Sequence, residues 1–448
     1  MLDPGVFKAY DVRGLYPSQL DEDGAYRIGR AYVEHFEPKS IAVGRDMRLS
    51  SPSMATATVE GAADGGADVI DIGLVGTEMV YYAVSELGLD GGICVTASHN
   101  PKDYTGMKIV RRGALPVGGD SGLAEVRERA LAGLEPVATR GDVLREDVWP
   151  GFVDKVLSFV DEKAIAPLRV VVDAANGMAG VMLPPVLERL PQLSVSRCYF
   201  EPDGSFPNHE PNPLLPENRE LIVAKVVEEG ADLGVAFDGD ADRCFFIDDT
   251  GEFVAGDFIT ALLAEAVLQN TPGAKVIYDV RASWAVPETI ERAGGVPLVN
   301  RVGHAFIKHR MRKEGAAFAG EVSAHYYFRE FSQADSGVVP FLMMLELLSR
   351  RGRKLSEILA PFRERFFLTG EINTPVADVP LKLQELKERY SAAGGRVSHL
   401  DGLSIEFDDW HMNVRPSNTE PLLRLNLEAL SEQRMTEKRD EVLALIRT

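Results

Sequence analysis

Three times along the chain the same succession of segments recurs, and no other feature of the sequence limits the possible architectures as much. Apolar runs at 40–44, 169–173 and 275–279 read as strands. Each is followed by a helix-like stretch, then by a second strand-like run at 67–72, 194–200 and 296–300. A third run closes each set, at 92–95, 233–237 and 316–319. Few residues are shared between the sets, so the repeat is one of pattern. Strands alternating with helices favour mixed or parallel sheets covered by helices, whose ligands gather beyond the carboxyl ends of the strands. The expectation is an α/β chain of three repeated domains around a central cleft. Helices are expected at 51–65, 216–230, 257–268, 304–313 and 336–350, the last apolar enough to be core. From Gly370 the pattern changes to shorter strands and two helical segments, 381–392 and 431–447. Boundaries fall near Trp149-Pro150, Thr250-Gly251 and 367–370, giving domains 1–150, 151–250, 251–368 and 369–448.

Each third run leads into a loop rich in chemistry. The first loop is Thr96-Ala97-Ser98-His99-Asn100-Pro101, which puts a hydroxyl, an imidazole and an amide at a strand end. Such a hydroxyl can act as a nucleophile or carry a covalent group. A polar turn is the plainer reading of a lone Ser-His pair. In the second loop Asp238, Asp240 and Asp242 alternate just before Arg243. Like charges at that spacing suit a hard divalent cation with oxygen ligands. A solvated acidic turn is the simpler alternative. A calcium loop of the helix-loop-helix kind fits poorly, because Arg243 stands where it needs glycine and Asp249 where it needs glutamate. The third loop is Gly320-Glu321-Val322-Ser323-Ala324-His325.

Composition narrows the function. A formal charge of −20 argues against nucleic acid and anionic membrane surfaces as partners. It also disfavours anionic ligands at long range unless basic groups converge locally. No apolar run approaches the roughly 20 residues of a membrane-spanning helix, and the first ten residues lack the regions of a signal peptide, so the cytoplasm is the expected location. Cys94, Cys198 and Cys244 lie in strand-like runs without metal-ligand spacing, which disfavours a disulfide framework or a zinc site.

With the opening run 7–14 and the Arg415-Pro416-Ser417-Asn418-Thr419-Glu420-Pro421 stretch, these loops resemble the motifs of the alpha-D-phosphohexomutases, in family order and over essentially the whole chain. The form of the third loop resembles the phosphomannomutase/phosphoglucomutase branch. The resemblance implies reversible transfer of phosphate between O6 and O1 of mannose, and of glucose, through a phosphoserine and a hexose 1,6-bisphosphate intermediate. It makes Ser98 the phosphorylated serine and Asp238, Asp240 and Asp242 the magnesium ligands, which share the ion with Ser98. The catalytic group also includes His99 for proton transfer, Lys108 as base or charge stabiliser, and Arg243. Glu321 and Ser323 become readers of sugar hydroxyls, with His325 nearby. Arg415, Ser417, Asn418, Thr419 and Arg424 become the anchor of the nonreacting phosphate, in a domain that resembles the family's smaller α+β fourth domain. Tyr10, Arg13 and His304 complete the ligand shell. Arg281 stands where the branch commonly has a lysine, keeping charge but not shape. The domains are then, in order, those of phosphoserine, metal, sugar recognition and phosphate binding.

Three rival readings remain at this stage: a glucosamine-phosphate mutase, a metal-dependent sugar phosphatase and a noncatalytic sugar-phosphate sensor. The intact serine, aspartates and lysine weigh against the sensor. Oligomeric state is left open.

Overall fold

The computed structural model describes residues 2–134, 139–417 and 422–447. The chain forms two compact units, one of Met1–Val254, Met311–Lys313 and Ser323–Leu355, the other of Ala255–Arg310, Glu314–Val322 and Ser356–Thr448.

In the first unit the repeat becomes two sheets of one design. The strand that comes first in sequence lies in the middle. Ser40–Arg45 is flanked in parallel by Asp68–Leu74 and Gly91–Val95. Arg169–Asp173 is flanked in the same way by Ser194–Cys198 and Leu233–Phe237. Two neighbours running off opposite sides of a central strand create a switch point at the strands' carboxyl ends, where loops diverge and leave a crevice. After each third strand the chain reverses into an antiparallel partner, Tyr104–Arg111 in one sheet and Cys244–Ile247 in the other. Every residue of Gly91–Val95 and of Leu233–Phe237 is buried, as a strand covered on both faces requires. The hairpin of Tyr326–Phe328 and Ala334–Asp335 also belongs to this unit. So does the helix Val338–Arg351, which buries ten of its residues as core, in line with its composition.

The second unit holds the third version of the motif, Lys275–Asp279 between Val296–Asn300 and Phe318–Gly320, all parallel. It also holds an antiparallel sheet of five strands in the order Phe367–Pro375, Leu422–Ala429, Trp410–Pro416, Leu403–Glu406, Arg396–Ser398. The helices Val379–Ala392 and Glu432–Arg447 contribute Leu386, Tyr390, Val442 and Ile446 to a core that lies wholly within this C-terminal segment.

Two expected boundaries move for local reasons. The strand expected over 194–200 stops at Cys198 because Tyr199 takes left-handed backbone, φ 54°. The helix expected over 216–230 starts with a 3-10 turn, Pro216–Arg219, and is α-helical only over Glu220–Glu229, where Gly230 caps it at φ 58°. No helix among the described residues is long and apolar enough to cross a membrane.

Candidate active site

Ser98 lies two residues beyond the loop's first threonine, and Thr96 Oγ1 accepts a hydrogen bond from its backbone N–H at 2.9 Å. Its backbone is left-handed, φ 50°, a conformation that costs a non-glycine residue on the order of 1 kcal/mol or more. Arg48, 1% exposed, holds the loop in that shape. Its guanidinium donates to the carbonyls of Ser98 at 2.8 Å, Asn100 at 2.6 Å, Pro101 at 2.8 Å and Tyr104 at 3.2 Å. Asp46 balances its charge with an ion pair at 3.3 Å. Arg13 adds a bond to Asn100 Oδ1 at 2.5 Å, with Asp11 as its counter-ion.

The Ser98 hydroxyl donates to Asp238 Oδ2 at 3.0 Å and lies 3.3 Å from His99 Nδ1. The two loops meet backbone to backbone, since a Cβ on Gly239 would come within 2.4 Å of the Ser98 carbonyl oxygen. Only glycine fits there. The ligand atoms of Asp238, Asp240 and Asp242 lie within 4.8 Å of one another, and all three residues are buried. Lys108 donates to Asp240 at 2.7 Å and pairs with Asp242, while Arg243 Nε donates to Asp238 at 2.9 Å. Thr77 Oγ1 donates to Asp240 at 2.5 Å.

Three carboxylates against two cations leave one net negative charge, and the titration behaviour follows from who stands beside whom. Burial, with Asp240 and Asp242 adding to it and Arg243 opposing it, pushes the Asp238 carboxyl up to about 6. Burial also acts on Asp240, but Lys108 outweighs it and holds that carboxyl below the usual range. For Lys108 burial favours the neutral amine, yet Asp240 and Asp242 prevail and keep the ammonium protonated. Burial, Arg243 and Arg13 together hold His99 well below the ordinary imidazole range. His325 goes the other way: burial opposes its charge, but Asp335, 3.0 Å from Nδ1, and Asp242 raise it.

The donor set fits a hard divalent cation. It consists of carboxylate oxygens, and Asp240 Oδ1 and Asp242 Oδ1 are buried with no hydrogen-bond partner.

A cationic counterpart occupies the second unit. Asp279, at the end of the Lys275–Asp279 strand, takes Arg281 bidentately, Nε to Oδ1 at 2.9 Å and Nη2 to Oδ2 at 2.8 Å. The same carboxylate accepts from the Val322 N–H at 2.9 Å, which ties Arg281 to the Glu321 loop. The arginine fork, which from sequence was free to take a phosphate bidentately, is thus engaged by Asp279. Glu321 is buried and accepts from the Gly303 N–H at 3.0 Å, next to His304. Arg415 and Arg424 face each other across adjacent antiparallel strands, and both pair with Glu371, at 2.9 and 3.1 Å. Arg424 also reaches Ser417 Oγ at 3.4 Å. Asn418 and Thr419 lie outside the described residues.

Among the expected residues, the first unit brings together Ser98, His99, Lys108, Asp238, Asp240, Asp242, Arg243 and Arg13, and carries His325 against Asp242. Tyr10 sits in the bend before the Val12–Leu15 strand, and Ser323 is half-buried in the same unit. Arg281, His304, Glu321, Arg415, Ser417 and Arg424 belong to the second. Sequence reasoning missed Arg48, Thr77, Asp279, Asp335 and Glu371. Arg48 had a signal, since Arg45-Asp46-Met47-Arg48 also follows a strand end.

A hydroxyl hydrogen-bonded to an acidic cluster of this kind, on an α/β scaffold, is the chemistry of a phosphoryl-transfer enzyme. Four family descriptions match in chain order: phosphoglucomutase/phosphomannomutase alpha/beta/alpha domain I over residues 4–133, domain II over 150–251, domain III over 255–366 and the C-terminal domain over 371–445. The chain is 45% identical over 448 residues to a phosphomannomutase of Salmonella montevideo, covering 98% of each chain. It is 44% identical over 443 residues to the phosphohexose mutases of a Xanthomonas campestris strain, again covering 98% of each. A crystal structure of a phosphoglucomutase/phosphomannomutase family protein from Burkholderia thailandensis superposes with a TM-score of 0.90 at 33% identity, covering 99% of this chain and 97% of that one. The chain belongs to the phosphoglucomutase/phosphomannomutase family and is a phosphohexomutase, an isomerase of carbohydrate metabolism.

Proposed function

We propose that the protein transfers phosphate reversibly between O6 and O1 of mannose, and of glucose, through a phosphoserine at Ser98 and a hexose 1,6-bisphosphate intermediate. The observation that carries this reading is the 3.0 Å bond from the Ser98 hydroxyl to Asp238. It couples the phosphate carrier to the acidic cluster. In the forward step the Ser98 Oγ–P bond breaks, a P–O bond forms to the sugar hydroxyl, and that hydroxyl's proton leaves. His99, whose Nδ1 stands 3.3 Å from the Ser98 hydroxyl, is the group placed to take the proton. Lys108, held as an ammonium, suits stabilisation of developing charge rather than general-base work. Arg243 fixes Asp238 and faces the same phosphoryl group.

Magnesium, bound by Asp238, Asp240, Asp242 and the phosphorylated Ser98, would supply Lewis-acid neutralisation of the transferring group. Charge balance supports the choice: a phosphoserine adds nearly two negative charges to a cluster that already carries one. Glu321 and Ser323 read the sugar's 3- and 4-hydroxyls, with His325 positioning the loop or contacting phosphate. Arg415, Ser417, Asn418, Thr419 and Arg424 anchor the nonreacting phosphate, and Tyr10, Arg13, Arg281 and His304 complete the shell. Each domain of the four-part division serves one of these tasks, and the reaction belongs in the cytoplasm.

Mannose and glucose differ only at carbon 2, so a loop reading shared hydroxyls discriminates by less than about 100-fold in kcat/KM. Mutase assays on both sugars, with and without a trace of the 1,6-bisphosphate, test the proposal. Activation by bisphosphate and a mass increase that maps to Ser98 are expected. Steady release of inorganic phosphate, or a preference for glucosamine phosphate, would overturn it.

A further inference from the structure

Two arginines directly opposite each other on neighbouring strands repel, and the fold sets a carboxylate against them. Glu371 Oε2 is 2.9 Å from Arg415 Nη2 and 3.6 Å from Arg281 Nη1, and Oε1 is 3.1 Å from Arg424 Nη1. The placement is built in. The register of the Phe367–Pro375 strand against Leu422–Ala429 shifts between Leu368 and Glu371, and Gly370 in that bulge has φ 67°. Bulges of this kind re-aim a side chain beside a binding site. Burial favours the neutral acid, yet Arg281 and Arg415 outweigh it and keep Glu371 ionised. With Asp279 taking most of Arg281, the cluster of three guanidiniums and two carboxylates keeps one net positive charge.

We infer that Glu371 is a resident stand-in for the substrate's phosphate, holding Arg281, Arg415 and Arg424 together between turnovers and competing with the phosphoryl dianion for them. The inference rests on the reading of Arg415 and Arg424 as the phosphate anchor. A phosphohexomutase gains from such a competitor. Its bisphosphate intermediate must leave the anchor, turn and return by the other end, so an anchor that binds too tightly slows turnover. Glu371 caps the affinity, and it favours a dianion over a singly charged ligand, since only the former outweighs a carboxylate at three guanidiniums.

Calorimetric titration of the full-length protein with mannose 6-phosphate tests the assignment. Glu371→Gln should bind about tenfold more tightly than wild type, with KM falling and kcat falling together. Glu371→Ala should move in the same direction and serves if the glutamine variant folds poorly. Weaker or unchanged binding in both variants would make Glu371 a mere support for the arginines and would overturn the inference. Arg415→Ala separates the two levels of the argument. If it weakens binding while Glu371→Gln fails to tighten it, only the stand-in role falls. If Arg415→Ala binds as wild type does, the anchor itself is misassigned.

Discussion

Asp240 carries three duties at once: it accepts from Lys108 and from Thr77, and it presents a second, unpartnered oxygen to the acidic cluster. Replacing it with asparagine leaves two carboxylates facing Lys108 and Arg243, a balanced set that the fold tolerates. We therefore expect Asp240→Asn to lower kcat about 100-fold and to raise the magnesium concentration for half-maximal activity, while the melting temperature holds or rises. Metal titration beside a melting curve checks this, and unchanged metal dependence would reduce the loop to a buried acidic turn. Arg48 presents the opposite case, because its partners are the carbonyls that shape the Ser98 loop. Arg48→Met strips those carbonyls of a donor and leaves Asp46 buried without its cation. A loss of about 3 kcal/mol in urea unfolding should result. The kcat should fall further than Arg48→Lys lowers it, since lysine keeps the charge but not the fork. Full activity in the methionine variant would show that the loop holds its own shape.

The C-terminal sheet has its own core, and Trp410 is its centre: 1% exposed, stacked on Phe407 at 4.9 Å between ring centroids and edge-on to Tyr390 at 5.4 Å. Trp410→Ala should cost this segment about 3–5 kcal/mol. Calorimetry should then resolve a separate early transition, with hexose-phosphate binding lost along with it. A single undivided transition would mean that the segment does not melt independently. What could be read beforehand follows the same division between local and distant. The strand-end loops were legible because continuous buried runs such as Gly91–Val95 and Leu233–Phe237 stop at residues whose chemistry is concentrated in a few positions. A helix-like stretch was expected after 169–173, but its bounds were not legible, for Pro184 and Pro185 interrupt the pattern of Ala179–Glu188 although Met182, Leu183, Val186 and Leu187 bury a proper face. The helix Glu22–Phe36 was missed although Ala25, Ile28, Tyr32 and Phe36 recur at helical spacing and face the core, its glycines and alanines diluting the pattern. A Cβ on Gly29 would meet the Thr58 carbonyl at 2.5 Å. Glu371 could not be found from sequence, since its purpose depends on arginines 44 and 53 residues further along.

Over the whole molecule the three thiols share one fate. Cys94, Cys198 and Cys244 are all buried, and burial pushes Cys198 up to about 11 and holds the other two well above the ordinary thiol range. The folded protein should therefore leave an aromatic disulfide reagent unreacted for as long as it stays folded, and titrate three equivalents in denaturant. Rapid reaction of even one thiol in buffer would reveal a local opening of the strand that carries it. The division into units has a consequence of another sort, in the order of synthesis. The first unit needs Ser323–Leu355, which the ribosome delivers about 100 residues after Val254. At roughly 5–20 residues per second that is a wait of about 5 to 20 s. During it the helix Trp149–Leu157 lacks Val338–Arg351, the helix that packs on it in the finished protein, and is open to chaperones. Slow codons just after position 254 would lengthen that exposure, whereas slow codons after 355 would let the nascent unit close first.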